Sequence, residues 1–247
     1  MIKLQRPNEP RKLLDNKVVW QASLDVAIAT HGSYEQIPEK DRNKLIIHYK
    51  DKEIKEPLFE SSHQKCAYCE CNATEGGGYM EVEHFKPKSL YPEFVFEWAN
   101  LLPACRRCNG MKGVHDTGAE PIINPYDTDP EKAFVYKRIQ IKAKDGIYFE
   151  MAARTIKVCR LNDERLLTSR SKIMPRLERV CMALEKAIDN YNVATLESEK
   201  HEYLRNIKEA LSTVEITQEN TETYAGFCRF FFKSDDAYNK AKELVSA

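Results

Sequence analysis

The spacing of apolar residues predicts a helical N-terminal segment, an irregular middle and a helical C-terminal region. Apolar positions from Leu13 to Ile28 recur at helical spacing, and this helix should end near His31–Gly32. A second helix is expected to begin at Pro38 and a short third one at Pro57. Between Lys65 and Gly113 the helical spacing is absent, so a differently built module is expected there.

The region after Pro130 is predicted to form a β-hairpin and then helices. The stretch FVYKRIQIKAKDGIYFE is typical of two strands, with Asp145–Gly146 as the turn. From about Met151 the spacing is helical, with one of several breaks expected at Pro175. The predicted fold class is therefore α+β. Its parts are a helical segment (residues 1–62), a small central module (63–130), and a hairpin followed by a helical region (131–247).

Composition and charge are those of an ordinary soluble globular protein. Hydrophobic residues make up 42% of the chain and charged residues 31%. No stretch approaches the roughly 18 to 20 apolar residues of a membrane span, and the first residues lack the apolar core of a secretion signal. We therefore expect a cytoplasmic protein without membrane contacts. The formal net charge is zero, so overall charge gives no sign of nucleic-acid binding.

Two pairs of cysteines indicate a metal site. Cys66 and Cys69 form one C-x2-C motif, and Cys105 and Cys108 form another. Each motif supplies two corners of a tetrahedron, so the two together predict a structural zinc site without an open position for catalysis. Cys71 is an alternative to Cys69 as a ligand. The single residues Cys159, Cys181 and Cys228 are expected to be buried thiols.

Ionisable residues between the two pairs suggest phosphodiester hydrolysis. Glu83 and Asn109 offer oxygen atoms to a hard divalent cation, and Glu81, on the same strand face as Glu83, could replace it. His84, with an ordinary pKa of about 6.5, can accept a proton from water. Nearby basic residues are candidates for binding nucleic-acid phosphates: Lys86, Lys88, Arg106, Arg107 and Lys112. His115 is expected in an exposed loop, with a substrate contact as the alternative.

The pattern C-x2-C…E-H-F-x-P-K-S…N-L…C-x2-C-N-x2-K-G resembles the zinc-bearing HNH endonucleases of the ββα-metal fold. The resemblance implies that Glu83 and Asn109 hold a catalytic Mg²⁺ or Mn²⁺ and that His84 is the general base. It implies that Asn100 braces the loop carrying that base, and that a helix starts near Cys105. Glu83 replaces the commoner Asp, and Asn109 replaces the commoner His.

Flanking motifs extend the resemblance to the HNH subunits of Septu-type and retron-linked antiphage systems. These motifs include CAYCE, W-x-N-L-L-P-A-C, INP-x-D-x-D-P and TIKVCRLN. Such subunits act beside an ABC- or SMC-like ATPase, so the resemblance implies an ATPase partner and a nucleic-acid substrate. DNA is the favoured substrate, and RNA, including tRNA, is the alternative. A zinc module that binds without catalysing a reaction is the rival interpretation.

Overall fold

The computed structural model describes residues 1–74 and 78–246, which contain nine α-helices and four β-strands in two small sheets. The helices are α1 (Arg11–His31), α2 (Glu39–Ile46), α3 (Lys52–Glu60), α4 (Arg106–Lys112), α5 (Phe149–Val158), α6 (Glu164–Val193), α7 (Glu197–Gln218), α8 (Ala225–Lys233) and α9 (Asp236–Ser246). The strands are β1 (Met80–His84), β2 (Leu101–Cys105), β3 (Phe134–Lys137) and β4 (Gln140–Ala143). This mixture of helices and small sheets agrees with the α+β prediction.

The first two helices follow the sequence prediction closely. Gly32 ends α1 in the left-handed conformation, with φ of 91°, and its N–H bonds the carbonyl of Ile28 at 2.8 Å. Helix α2 begins directly after Pro38, as expected. It is shorter than its pattern suggested, because Ile47–Lys50 continue as a tight 3₁₀ turn.

The predicted start of the third helix at Pro57 is wrong. Helix α3 begins at Lys52, where the side chain of Asp51 accepts a hydrogen bond from the N–H of Glu53 at 3.0 Å. Pro57 therefore lies inside the helix. The capping carboxylate, together with the buried Ile54 and Leu58, fixes the helix one turn earlier than the proline suggested.

The central module contains two antiparallel strands followed at once by a helix. Strand β1 pairs with β2 from Met80 opposite Cys105 to His84 opposite Leu101, and α4 starts at the next residue, Arg106. Every residue of β2 is buried. Pro103 in β2 uses its carbonyl to accept the N–H of Ala67 at 2.9 Å, which joins the first cysteine pair to the sheet.

The predicted hairpin exists, but its turn is misplaced. Lys137 pairs with Gln140, so Arg138 and Ile139 form the turn, and Gly146 lies in the connection to α5. Asn162 binds both backbone groups of Ile141, at 2.9 and 2.8 Å. This contact between distant residues fixes β4, and local turn propensity did not indicate it.

The C-terminal region is a group of packed helices in which α6 and α7 are the longest. The break expected at Pro175 is wrong, because α6 continues through it. Leu166, Leu177 and Leu184 are buried on both sides of the proline. Their packing outweighs the roughly 3 kcal/mol that an internal proline costs.

The module and the helices share one continuous hydrophobic core, which also includes Met1, Ile2 and Leu4. Because the core runs through all three predicted parts, it does not mark the boundaries between them, and these boundaries stay a prediction. Cys159, Cys181 and Cys228 are buried, as expected. No helix in the described ranges combines the length and apolar character that crossing a membrane requires.

Candidate functional site

Four buried thiols meet where the first cysteine pair contacts the junction of β2 and α4. The sulfur atoms of Cys66, Cys69, Cys105 and Cys108 all lie within 4.8 Å of one another. A Zn–S distance of about 2.3 Å requires sulfurs about 3.8 Å apart in a tetrahedron. The observed distance from Cys69 to Cys105 is 3.9 Å. The cluster is therefore compatible with zinc.

Backbone contacts of each pair explain why the thiols converge. Cys105 ends β2 and caps α4, and its sulfur accepts the N–H of Cys108 at 3.4 Å. In the first pair, the N–H of Glu70 bonds the carbonyl of Cys66 at 2.9 Å, closing a tight turn around the thiols. Both pairs are local turns, which is why their spacing alone predicted them.

Cys71 lies next to the cluster but outside the group of four. Its sulfur is 3.3 Å from that of Cys69, shorter than a tetrahedral edge, so the two cannot both occupy corners of one regular zinc site.

The two cysteines of the C-terminal helices are isolated buried thiols. Burial raises the pKa of Cys181 and of Cys228 to about 12. These thiols stay protonated at neutral pH, which suits a packing role.

The predicted acid–histidine pair lies at the end of β1. Glu83 and His84 are only 3% and 4% exposed, and both line a cavity of about 650 Å³. Glu81, Lys88 and Asn109 line the same cavity. Of the predicted catalytic and phosphate-binding residues, the structure thus brings four to one place: Glu83, His84, Lys88 and Asn109.

His84 is held as a neutral imidazole with one free nitrogen. Nε2 lies 3.0 Å from the carbonyl of Val95, which can only accept, so Nε2 carries the proton and Nδ1 keeps a lone pair. Nδ1 is buried and has no hydrogen-bond partner in the part of the chain described. Burial lowers the pKa of His84 well below its usual value, and the charges of Lys88 and Lys112 lower it further. This arrangement can accept a proton.

Asn100 holds together the two backbone segments next to His84. Its Oδ1 accepts the N–H of Lys86 at 2.7 Å. Its Nδ2 donates to the carbonyls of Lys86 and Phe94, at 3.1 and 3.0 Å. The first segment follows His84, and the second leads to the carbonyl that binds it. These hydrogen bonds hold the two segments together. The role of Asn100 in catalysis stays a prediction.

Arg6, which the sequence analysis did not select, supports the same region. One guanidinium nitrogen donates to the carbonyls of Trp98 and Leu101, at 2.7 and 3.0 Å, and so holds the backbone on either side of Asn100. The partners are more than 90 residues apart in the sequence, so no local pattern could have indicated the contact.

Glu83 forms a buried charge pair with Lys112. The Lys112 ammonium lies 2.6 Å from Glu83 Oε1, although it is not aligned there as a hydrogen-bond donor, and it donates to the carbonyl of His84 at 3.0 Å. Burial raises the pKa of Glu83 to about 7, and Lys112 acts in the opposite direction. Lys112 is itself buried, so its predicted contact with phosphate requires this pair to open.

The side chains around the cavity offer oxygen atoms, the ligand type that hard divalent cations prefer. The Asn109 amide donates to the carboxylate of Glu81 at 2.6 Å. This bond brings Asn109, a predicted cation ligand, next to Glu81, the alternative to Glu83. Glu83 Oε1 has no aligned hydrogen-bond donor, but it lies 2.6 Å from the Lys112 ammonium, which a cation would have to replace or share. Within residues 1–74 and 78–246, the cysteine cluster is the only group of three or more Cys, His, Asp or Glu close enough to hold an ion. A cation here would thus also use the Asn109 amide, water or phosphate oxygens, as Mg²⁺ commonly does.

The remaining predicted basic residues lie elsewhere. Arg106 and Arg107 line a different cavity of about 430 Å³ beside the cysteine cluster. Lys86 stands over the ring of Phe94, 4.1 Å from its centre. His115 contacts Glu120 and does not line the first cavity. Their predicted roles in binding nucleic acid stay predictions.

The N-terminal segment contributes five cavity residues that the sequence analysis did not select: Tyr34, Tyr49, Lys50, Lys55 and Phe59. The ring of Tyr49 meets that of His84 edge-on, with centroids 4.6 Å apart. The helical spacing of this segment gave no sign of such a contact.

Comparison with known proteins identifies the family. No family model matches the chain. Septu protein PtuB of Bacillus thuringiensis is 39% identical over 195 residues, which cover 78% of this chain and 67% of that protein. The chain belongs to the Septu PtuB family. Septu protein PtuB of Bacillus mycoides (strain KBAB4) is 26% identical over 249 aligned positions, covering 87% of this chain and 81% of that protein.

A shorter similarity links the chain to protein ea31 of Escherichia phage lambda, at 37% identity over 75 residues, 30% of this chain and 22% of that protein. Membership of the PtuB family supports the prediction of a component of a Septu-type antiphage defence system.

Replacing one thiol of the cluster tests whether it holds zinc. For Cys66→Ser and Cys108→Ser, we expect zinc content to fall from about one ion per chain to near zero. The melting temperature should fall by roughly 6 °C or more, the effect of losing about 3 kcal/mol in a chain of this size. Metal analysis and thermal unfolding measure both. Cys181→Ser, a buried thiol outside the cluster, is the matched control. Unchanged zinc in the cluster variants would refute the site.

Asn100→Ala tests the brace. It leaves the N–H and the carbonyl of Lys86 without partners, and the Phe94 carbonyl with only the N–H of Glu97 at 3.3 Å. Each buried group left without a partner costs about 1 to 3 kcal/mol. We expect thermal unfolding at least about 6 °C lower than in the native chain, whereas the exposed Asn192→Ala should change it little. Equal melting temperatures for the two variants would show that Asn100 does not hold these segments.

Proposed function

We propose that this member of the PtuB family is a metal-dependent HNH endonuclease that hydrolyses phosphodiester bonds of nucleic acid, with DNA as the favoured substrate. The observation that carries the proposal is the state of His84. It is a neutral, buried histidine with a free Nδ1, and it lines one cavity together with Glu83 and Asn109, which offer oxygen donors. A module that only bound a partner would have no need of an unsatisfied buried acceptor.

The order of elements also supports the proposal. Strand β1 ends in Glu83 and His84, β2 follows the bracing Asn100, and α4 carries Asn109. This strand–strand–helix order is the one that the resemblance to HNH enzymes implies. The four-cysteine cluster, which we propose binds zinc, fixes the start of α4 and therefore the position of Asn109 relative to β1.

In the proposed reaction, His84 takes a proton from the attacking water at Nδ1. Nε2–H donates its hydrogen bond to the carbonyl of Val95, which stabilises the positive charge that the ring then acquires. Glu83 and Asn109 would hold one Mg²⁺ or Mn²⁺, with Glu81 as a further ligand. When bound, that cation would stabilise negative charge on the phosphate and on the leaving oxygen. Lys112 offsets the cost of burying the Glu83 carboxylate.

The proposal includes a partner and an alternative substrate. Membership of the Septu PtuB family is consistent with action beside an ABC- or SMC-like ATPase, as the sequence resemblance implies. Phosphate contacts do not distinguish one nucleic-acid sequence from another, and RNA, including tRNA, remains the alternative substrate.

His84→Ala tests the proposed base. Removing a general base should slow cleavage about 10² to 10⁴-fold. The assay uses supercoiled plasmid and bulk tRNA, each with Mg²⁺ or with EDTA, and so also decides the substrate class. His201→Ala, an exposed histidine on α7, should cleave like the native chain. Cleavage by His84→Ala at the native rate would exclude His84 as the base.

The pKa of Glu83 predicts how metal binding depends on pH. Because burial raises that pKa to about 7, a proton competes with the cation at and below neutral pH. In the His84→Ala background, the affinity for Mn²⁺ should fall by about tenfold for each pH unit well below 7. Calorimetry between pH 5.5 and 8 measures this slope. Glu83→Gln should bind more weakly and lose the slope. A pH-independent affinity would contradict Glu83 as a ligand.

A further inference from the structure

Three lysines at the cavity of His84 lack acidic partners. Within the residues that the structure describes, no carboxylate oxygen lies within 4.0 Å of the ammonium groups of Lys50, Lys55 or Lys88. Two other lysines of the N-terminal segment do have acidic partners. Lys44 pairs with Asp41 at 3.4 Å, and Lys52 pairs with Glu56 at 3.5 Å. Among the lysines without such a pair in the described residues, Lys50, Lys55 and Lys88 share one cavity, whereas Lys40 lies outside it.

Two of these ammonium groups are close to the proposed base. Lys88 lies 5.3 Å and Lys50 lies 5.8 Å from the centre of the Tyr49 ring, which itself contacts His84. Lys88 is partly buried. Burial and the charges of Lys50 and Lys112 lower the pKa of Lys88, and the carboxylates of Glu83 and Glu81 act in the opposite direction. An anion bound among the lysines would favour their charged forms further. The cluster therefore has the charge and position of a binding site for an anion next to His84.

Another cavity, separate from the one beside the cysteine cluster, continues the surface with the lysines across the N-terminal segment. It has a volume of about 580 Å³ and shares Tyr49, Lys50 and Lys88 with the first cavity. At its other side lies Arg42, whose guanidinium is 5.1 Å from the centre of the Tyr34 ring. The two cavities together form a groove from the oxygen donors of β1, past the lysines, to helix α2. Its lining carries four basic residues (Arg42, Lys50, Lys55 and Lys88) and three acidic ones (Glu35, Glu81 and Glu83). Glu81 and Glu83 are the proposed cation ligands, so the elongated groove suits an extended polyanion better than a single small anion.

We propose that Lys50, Lys55 and Lys88 bind the phosphate backbone of the DNA strand that is cut, on one side of the cleaved phosphate. The N-terminal helical segment then forms one wall of the substrate groove, in addition to packing against the module. The inference deepens the proposed function and rests on it. Lysine contacts phosphate as a point charge, so the site gives affinity and position without sequence preference.

Binding measurements on the full, zinc-loaded chain test the groove. All variants carry His84→Ala, so that labelled duplex DNA is not cut, and fluorescence anisotropy gives the affinity between 50 and 200 mM salt. The test variant is the double variant Lys50→Ala/Lys55→Ala. The single variant Lys88→Ala tests the third lysine separately. The matched control is Lys44→Ala/Lys52→Ala, which removes the same charge from the same segment outside the cavity.

The expected result is a change in salt dependence. Each lost phosphate contact lowers the slope of log affinity against log salt by about 0.9 on duplex DNA, so the test variant should lose nearly two units. The control should keep the slope, and thermal unfolding should show all variants folded. Equal slopes and affinities for test and control variants would overturn the proposal, as would binding of tRNA without binding of DNA.

Cleavage by the chain with intact His84 separates this proposal from the nuclease assignment. If that chain cuts plasmid while the lysine variants bind like the control, the groove is wrong and the nuclease stands. If binding depends on the lysines but nothing is cut with Mg²⁺ or Mn²⁺, the groove stands as a DNA-binding surface and the nuclease assignment fails. Absence of any DNA binding overturns the groove.

Discussion

The convergence of four buried thiols is the constraint on which the rest of the candidate site depends. It joins the turn at Cys66–Cys69 to Cys105, the residue that ends β2 and caps α4. Asn109 lies four residues after Cys105. Strand β1 pairs with β2 along its whole length, up to Cys105. The two-stranded sheet is small and α4 has only seven residues, so neither would keep its position by itself. A metal held by the thiols would supply the missing rigidity.

The electrostatics of the cavity follow from burial as much as from sequence. Glu83 and His84 are neighbours, yet burial acts on them in opposite directions, because it disfavours the charged form of each. It raises the pKa of Glu83 to about 7 and lowers that of His84. Lys112 then favours the carboxylate and disfavours the imidazolium. His84 is thereby held as the neutral base that proton abstraction requires, whereas Glu83 near pH 7 must release a proton before it can serve as an anionic ligand.

Local features could be predicted from the sequence, and contacts between distant residues could not. The two cysteine turns, the Gly32 helix end and the position of Glu83 beside His84 depend on a few consecutive residues. The start of α3 at Lys52, the course of α6 through Pro175 and the hairpin turn at Arg138 depend on capping and packing that override local propensity. Tyr49, Lys50 and Lys55 reach the cavity only because the N-terminal segment folds against β1, which no local pattern indicates.

Chemical rescue of the base tests the central claim most directly. His84→Gly would leave a space beside the proposed cation ligands that free imidazole can enter. We expect this variant to lose cleavage of plasmid with Mg²⁺ and to recover part of it as imidazole is added, with a saturating dependence on imidazole concentration and no recovery in EDTA. Cleavage by the folded variant at the native rate without imidazole would contradict the assignment of His84 as the proton acceptor.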